Sequence, residues 1–230
     1  FQGLDEWFTR INEYGKSVGM EVEHYIISSG LREIIEGSSI GKYFKEKGYS
    51  VISNDIQYFS YVLAKAMIEN NGEIEFEDLK KINIDDPFIY LNNIKGRKGF
   101  IYKNYCLEGT KNNEFQRLYF TDYNAKKIDA IRLKIKKWRK DGLINEKEYF
   151  YLIANLVEAS DKIANTASVY EAFLKDIKKT AQKELEMKPL ELNIQNNDCF
   201  YFATNEDADE LIEHISGDIL YLDPPYNSRK

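Results

Sequence analysis

Two adjacent prolines, Pro224 and Pro225, stand directly after Asp218–Leu222, a short run that reads as an apolar strand. Proline has no backbone N–H and a fixed φ, so the pair cannot extend a sheet ladder and instead sets a rigid turn at the strand's carboxyl end. Open α/β sheets bind their ligands at that end. The turn gathers the Asp223 carboxylate, the Pro224 carbonyl and the Tyr226 ring around one small volume. Such a pocket suits an exocyclic amine on a planar ring: the two oxygens accept its two N–H bonds, and the tyrosine stacks on the ring. A purely structural Pro-Pro turn over a buried tyrosine would use the same residues. The position after a strand favours a site.

The rest of the chain supports an α/β reading. Ile40, Tyr43 and Phe44 recur at helical spacing up to Lys47, and Gly48 stops that helix. Ser50–Asn54 reads as a strand ending at Asp55, and Tyr58–Ile68 as a second helix, which together suggest part of a parallel sheet. Residues 71–118 carry loop punctuation. Three helices are then expected. The first covers about 124–140 with Ile128, Ile131, Ile135 and Trp138 inward. The second starts after an Asn145 cap with Glu148 in a capping box, and turns Tyr149, Leu152, Ile153, Leu156 and Val157 inward. The third spans roughly 166–186. Glu191–Ile194 is expected as a strand, Asp207–Ile215 as a helix and Asp218–Leu222 as the last strand. The organisation expected is a core over 4–70 and 190–230 interrupted by a mainly helical insert over 71–189, with Phe1-Gln2-Gly3 set aside because it resembles a tag remnant.

Composition removes several classes. In 230 residues, 43% hydrophobic and 30% charged side chains mark a globular chain rather than a disordered one. No apolar run reaches the roughly 18–20 residues of a membrane span. Cys106 and Cys199 lie too far apart to form a disulfide framework or a zinc site alone, and His24 and His214 have no ligand partners at useful spacing, so no metal is expected. The setting expected is reducing and cytoplasmic, with no membrane partner. A net charge of −6 argues against an overall basic coat, but nucleic-acid binding depends on a local basic face.

Around the Asp-Pro-Pro-Tyr turn the chain resembles the adenine-specific DNA N6-methyltransferases of the Dam-like type. Further stretches carry the resemblance: Tyr43–Tyr49 with Val51–Ile56, Tyr119-Phe120-Thr121 with Asn124-Ala125 and Ile128-Asp129, and Ala164-Asn165-Thr166 with Val169-Tyr170 and Ala172–Lys175. The family implies a Rossmann-like methyltransferase sheet with a target-recognition insert, S-adenosylmethionine as cofactor, and double-stranded DNA with a flipped adenine as substrate. It also implies a cognate restriction endonuclease as partner. By position, Asp223, Pro224, Pro225 and Tyr226 would be catalytic. Asp55 would bind the cofactor's ribose hydroxyls, Ile56 would lie against its adenine, and Asp198 with Cys199 would sit near the adenine amine. An acidic residue closing the second strand is also where dinucleotide folds hold a ribose, although a helix-capping aspartate would look the same.

The glycine-rich first cofactor motif is represented by Ile34–Gly41, with Gly37, Ser38 and Ser39 as the cofactor-contacting positions. The Leu31-Arg32-Glu33 stretch before them has too few apolar residues for a buried parallel strand. The 230 residues are therefore expected to be a fragment or to join separated pieces, with a break between about 20 and 40 or a partner supplying strands, and to be inactive as one continuous chain.

Two basic groups are candidates for DNA. Between Lys126 and Lys140 there are eight lysines and arginines against Asp129 alone, among them Lys134, Lys136, Lys137 and Arg139. Lys95, Arg97, Lys98 and Lys103, interleaved with Phe100, Tyr102 and Tyr105, form the second. A charge run on an amphipathic helix is usually just its solvated face. Two other functions remain open: an RNA base methyltransferase, and a catalytically silent DNA-binding or assembly subunit.

Overall fold

Among the described residues four short strands make one all-parallel sheet: β1 (His24–Ser28), β2 (Val51–Asn54), β3 (Tyr201–Thr204) and β4 (Ile219–Asp223), in the order β3-β2-β1-β4. The computed structural model describes residues 10, 13–19, 24–28, 33–166, 174, 176–217 and 219–223. Its chain divides into two units, Phe1–Glu73 with Leu192–Lys230, and Ile74–Glu191.

Parallel neighbours need crossovers, and helices supply them. Between β1 and β2 lies α1 (Glu33–Glu46), closed by Gly48, whose φ of +80° is the left-handed conformation that suits glycine. After β2 comes α2 (Tyr58–Ala64), which widens into a π-turn over Lys65–Glu69. Ile40, Phe44, Val51, Ala64, Ile68, Tyr201 and Ala203 pack together as the core of this unit. Each large aliphatic or aromatic side chain so buried contributes about 1.5–3 kcal/mol of hydrophobic transfer. Lys45 is fully buried in the same place. Its Nζ donates to the Ile68 and Asn70 carbonyls at 2.9 and 2.6 Å and lies 4.7 Å from the centre of the Tyr201 ring, closing the end of the π-turn. Glu69, ion-paired with Lys65, accepts the Ala203 backbone N–H at 2.9 Å with its other oxygen. That occupies a donor on strand β3, which ends the sheet.

The strand expected to be missing before Gly37 is β1, further upstream than the stretch read for it. His24-Tyr25-Ile26-Ile27-Ser28 has only two consecutive aliphatic residues and no alternation, so periodicity cannot mark it. β1 pairs with both β2 and β4 (Ile26 with Ser53, Ile27 with Asn54, His24 to Ser28 with Ile219 to Asp223). Gly37, Ser38 and Ser39 fall inside α1 rather than in a loop after a strand. Glu191–Ile194 is not a strand, and β3 begins only at Tyr201. Within the third expected helix of the insert, 176–186 is turns and irregular backbone, whereas 167–173 and 175 lie outside the described residues.

Among its described residues the second unit carries four short helices, α3 (Glu77–Lys80), α4 (Pro87–Asn93), α5 (Phe100–Tyr105) and α6 (Leu107–Thr110), and two long ones, α7 (Asp122–Lys140) and α8 (Glu146–Lys162). Ile128, Ile131, Ile135 and Trp138 are buried on α7 as their spacing predicts. The capping box of α8 is formed: Asn145 Oδ1 accepts from Glu148 N at 3.0 Å and Glu148 Oε2 accepts from Asn145 N at 2.7 Å. The buried face of α8 is rotated from the expected one, with Tyr151, Leu152, Asn155, Leu156 and Ala159 inward and Tyr149, Ile153 and Val157 half-buried.

Asparagines explain the rotation. Residues 183–190 have no ladder of their own, and side-chain amides, each with a donor and an acceptor, serve as one. Asn92 donates to the Met187 carbonyl and accepts its N–H, both at 2.9 Å. Asn124 donates to the Lys183 carbonyl at 2.8 Å and accepts from Leu185 N at 3.0 Å. Asn155 Oδ1 accepts from Leu190 N at 2.9 Å, and the Tyr151 hydroxyl donates to the Leu190 carbonyl at 2.7 Å. An apolar-stripe reading of α8 cannot see a face chosen partly by amides.

Candidate functional site

The carboxyl ends of the four parallel strands form one edge. Ser28, at the end of β1, is the register partner of Asp223 at the end of β4. On its other side β1 pairs with β2 through Ile27 and Asn54, so Asp55 follows β2 on the same edge. With neighbouring strands ~4.8 Å apart, two strand spacings set the backbones of Asp55 and Asp223 about 10 Å apart. Pro224, Pro225 and Tyr226 lie outside the described residues.

Asp55 is 7% exposed. Its Oδ1 accepts from Gln57 N at 2.8 Å, which bends the chain into α2. Among the described residues, Oδ2 is buried without a hydrogen-bond partner, and so is the hydroxyl of Ser60 on the first turn of α2. Burial raises the Asp55 pKa, opposed by the Gln57 N–H and by the nearby Ser60 hydroxyl, which acts on the charge without closing a hydrogen bond. A carboxylate oxygen with no donor in a dry site is costly, and a hydroxyl-bearing ligand would satisfy it.

The loop after β3 is tied to this end of β2. Asn54 Oδ1 accepts from Thr204 Oγ1 at 2.7 Å and from Glu206 N at 3.0 Å, and its amide donates to the Glu206 carbonyl at 3.0 Å. The Asn205 amide donates to the Asp55 carbonyl at 2.6 Å. Beside them Ile56 and Tyr58 are 63% and 57% exposed, an apolar surface next to the orphaned oxygen. Ser60 and Asn205 escape sequence reading, because a serine on a helix and an asparagine after a strand are common turn residues.

Asp198 and Cys199 are not brought to this edge. They precede β3, near the amino end of β2, where Cys199 Sγ donates to the Gly48 carbonyl at 2.9 Å and Asp198 is exposed. The separation follows from β3 beginning at Tyr201 in parallel register with Val51.

The basic groups belong to the other unit. On α7, Lys134 Nζ lies 4.9 Å from the Tyr90 ring centre and 5.5 Å from that of Trp138, Lys137 pairs with Asp141 at 2.5 Å, and Arg139 donates to the Ile144 carbonyl at 3.4 Å. Lys127 is buried, with Nζ donating to the Asn92 and Ile94 carbonyls at 2.6 Å each. Much of the charge run therefore has work inside the fold. Lys95, Arg97 and Lys98 are exposed. Lys98 and Lys126 share Glu108, at 3.4 and 3.1 Å, and each stands 4.9 Å from the Tyr102 ring centre. The Tyr102 hydroxyl and Lys126 hold the Glu108 carboxyl down to about 2.

Among the described residues no helix is long and apolar enough to cross a membrane, and no group of three His, Cys, Asp or Glu side chains is placed to hold a metal. Both cysteines are free thiols.

The profile of the D12 class N6 adenine-specific DNA methyltransferases matches residues 37–230. The chain belongs to this family. It is 42% identical over 191 residues to "Type II methyltransferase M.NlaIII" of Neisseria lactamica, covering 83% of this chain and 53% of that protein. It is 44% identical over 202 residues to "Type II methyltransferase M.FokI" of Planomicrobium okeanokoites, covering 86% of this chain and 30% of that one. With "Modification methylase StsI" of Streptococcus sanguinis it shares 41% identity over 194 residues, 83% of this chain and 28% of the relative. The chain thus spans about half or less of the length of these relatives. No solved structure matches it.

Proposed function

We propose that this chain is the methyl-transferring part of a DNA adenine methyltransferase, taking a methyl group from S-adenosylmethionine to N6 of adenine in double-stranded DNA. The observation that carries the reading is the shared carboxyl edge, with Asp55 after β2 and Asp223 ending β4 in register with Ser28. Family membership and the names of relatives, two "Type II methyltransferase" and one "Modification methylase", support it and favour a restriction-modification system with a cognate endonuclease in the cytoplasm.

The residues at the edge fit the cofactor. The unpartnered Oδ2 of Asp55 offers an acceptor to ribose hydroxyls, and exposed Ile56 offers an apolar wall for an adenine ring. Bound there, the sulfonium supplies an electrophilic methyl group with a good leaving group, so the chain's task is positioning. Adenine's amine is a poor nucleophile because its lone pair is delocalised into the ring. Hydrogen bonds from the amine to Asp223 and the Pro224 carbonyl favour a more tetrahedral nitrogen, and Tyr226 stacks on a base turned out of the duplex. Pro225 keeps the turn rigid. The α/β core is read as a Rossmann-like methyltransferase sheet and residues 74–191 as a mainly helical target-recognition insert. Gly37, Ser38 and Ser39 lie within a helix and Asp198 and Cys199 at the opposite edge, so neither group is part of this cofactor reading.

The test compares methyl transfer from labelled cofactor to duplex DNA and to structured RNA, with cofactor binding followed by calorimetry. Transfer to RNA alone supports the RNA base methyltransferase reading. DNA binding without cofactor binding supports the silent subunit.

A further inference from the structure

Residues 95–99, Lys-Gly-Arg-Lys-Gly, pass from α4 to α5 as an exposed loop that is fastened to α7 at every step of its inner side. Buried Lys127 holds its start through the Asn92 and Ile94 carbonyls, both at 2.6 Å. Arg97 N donates to the Lys126 carbonyl at 2.9 Å. Asp129, fully buried, accepts from Gly99 N at 3.0 Å, Ile101 N at 3.1 Å and Tyr102 N at 2.9 Å.

Gly99 is needed for this approach, and Gly96 eases it. A Cβ on Gly96 would stand 3.0 Å from Lys126 Cβ and 3.3 Å from the Lys126 carbonyl carbon. One on Gly99 would stand 2.5 Å from the Asp129 carboxyl carbon. Only glycine lets a chain lie this close to a helix and its buried acid.

The fastening is costly for what it covers. A lysine with only carbonyl partners and a carboxylate with no exposure are both taken out of water. Burial lowers the Lys127 pKa. Yet the loop they hold turns its charges outward: Lys95 and Arg97 are exposed and have no acidic partner among the described residues. Lys98 and Lys126 beside them share one carboxylate, Glu108. The outcome is a rigid positive surface whose ordering entropy is already spent in the free protein, which is what strengthens binding of a fixed array of anions. The α7 stripe is committed in part to the fold, because Lys134, Lys137 and Arg139 each already have a partner there, while Lys136 and Lys140 are exposed but have no comparable backbone fastening to a loop.

We propose that this loop is the insert's phosphate contact, with Lys95 and Arg97 meeting the backbone of duplex DNA; the choice of duplex DNA rests on the function proposed above. The experiment measures affinity of the full chain for a fluorescent duplex oligonucleotide by anisotropy at several salt concentrations. The variants are Lys95→Ala/Arg97→Ala and, matched in charge at exposed positions elsewhere on the unit, Lys111→Ala/Lys147→Ala.

The loop variant is expected to lose about tenfold in affinity at physiological salt. Its slope of log K against log salt should flatten by ~1.8, at ~0.9 for each phosphate contact. The charge-matched variant should keep the wild-type slope. Equal flattening in both variants overturns the proposal, since net charge alone would then be responsible, and so does a wild-type slope in the loop variant. Loop-dependent binding of structured RNA tighter than that of duplex DNA overturns the assignment to duplex. Methyl transfer by the same wild-type preparation is scored separately. Its absence, with loop-dependent duplex binding intact, would count against the methyltransferase reading and leave the loop contact standing.

Discussion

Ser28 and Asp223 are register partners at the carboxyl ends of β1 and β4, and Asp55 continues the same edge across β2. On the proposed reading, Asp223 at the end of β4 and buried Asp55 just after β2 would give a methyl-transfer site its two halves: one place for the acceptor and one for the donor. Parallel pairing makes this possible, because only a parallel sheet brings all its carboxyl ends to one side.

Asp55→Asn should separate binding from stability. If Asp55 holds ribose hydroxyls, losing the charged acceptor should weaken cofactor binding about ten- to a hundredfold, the value of hydrogen bonds to a charged group. The same change should slightly stabilise the free protein at neutral pH. Burial raises the folded-state pKa of Asp55 above its unfolded value, so the folded state binds the extra proton, and stability falls as pH rises through the folded pKa. Calorimetric titration and thermal melts would read both. Unchanged cofactor affinity would return Asp55 to a helix-entry role through Gln57.

Lys45 should leave a mark on the other side of neutrality. Burial lowers its folded-state pKa from 10.5 to about 8. Between those values the unfolded chain holds the proton that the folded chain has released, so this group's contribution to stability rises with pH. Melts of wild type and Lys45→Met from pH 8 to 10.5 should diverge in favour of the wild type. Parallel curves would mean that the Ile68 and Asn70 carbonyls keep Lys45 charged.

Asp129→Ala should be among the most damaging single changes in the second unit. It strips Gly99, Ile101 and Tyr102 of their N–H acceptor and removes a partner of Arg132. A loss of about 3 kcal/mol or more is expected for buried donors left unpaired, which corresponds to a fall of roughly 6–12 °C in Tm. A shift within 2 °C would show that water replaces the carboxylate.

What the sequence disclosed depended on how local the signal was. The Pro224-Pro225 turn, the Asn145–Glu148 capping box and the Ile128, Ile131, Ile135 and Trp138 face of α7 rest on neighbours within a few residues, and the last two are present as expected. β1 escapes sequence reading because a five-residue strand with two aliphatic residues carries no period, and Gly37 lies within α1 rather than directly after a strand. The strand expected at 191–194 fails for a related reason: alternation is present, yet the Asn193 amide donates to the Lys42 carbonyl, and the Asn71 side chain, not a neighbouring strand, accepts the Gln195 backbone N–H and donates to its carbonyl. Asn92, Asn124 and Asn155 look like loop-formers in sequence but act as long-range clamps, which only the fold reveals.

The account's central claim is best tested by incubating duplex DNA with S-adenosylmethionine and either the wild-type chain or Asp223→Ala, then digesting the DNA and quantifying N6-methyladenine by mass spectrometry. With β1 in the place of the strand expected to be missing, the account predicts N6-methyladenine with the wild type, against the inactivity expected of the continuous chain, and its loss in Asp223→Ala, with circular dichroism and melting temperature retained, because a side chain at a strand's carboxyl end serves the site more than the core. Undiminished N6-methyladenine from Asp223→Ala, or methylation by the wild type at cytosine only, would contradict it.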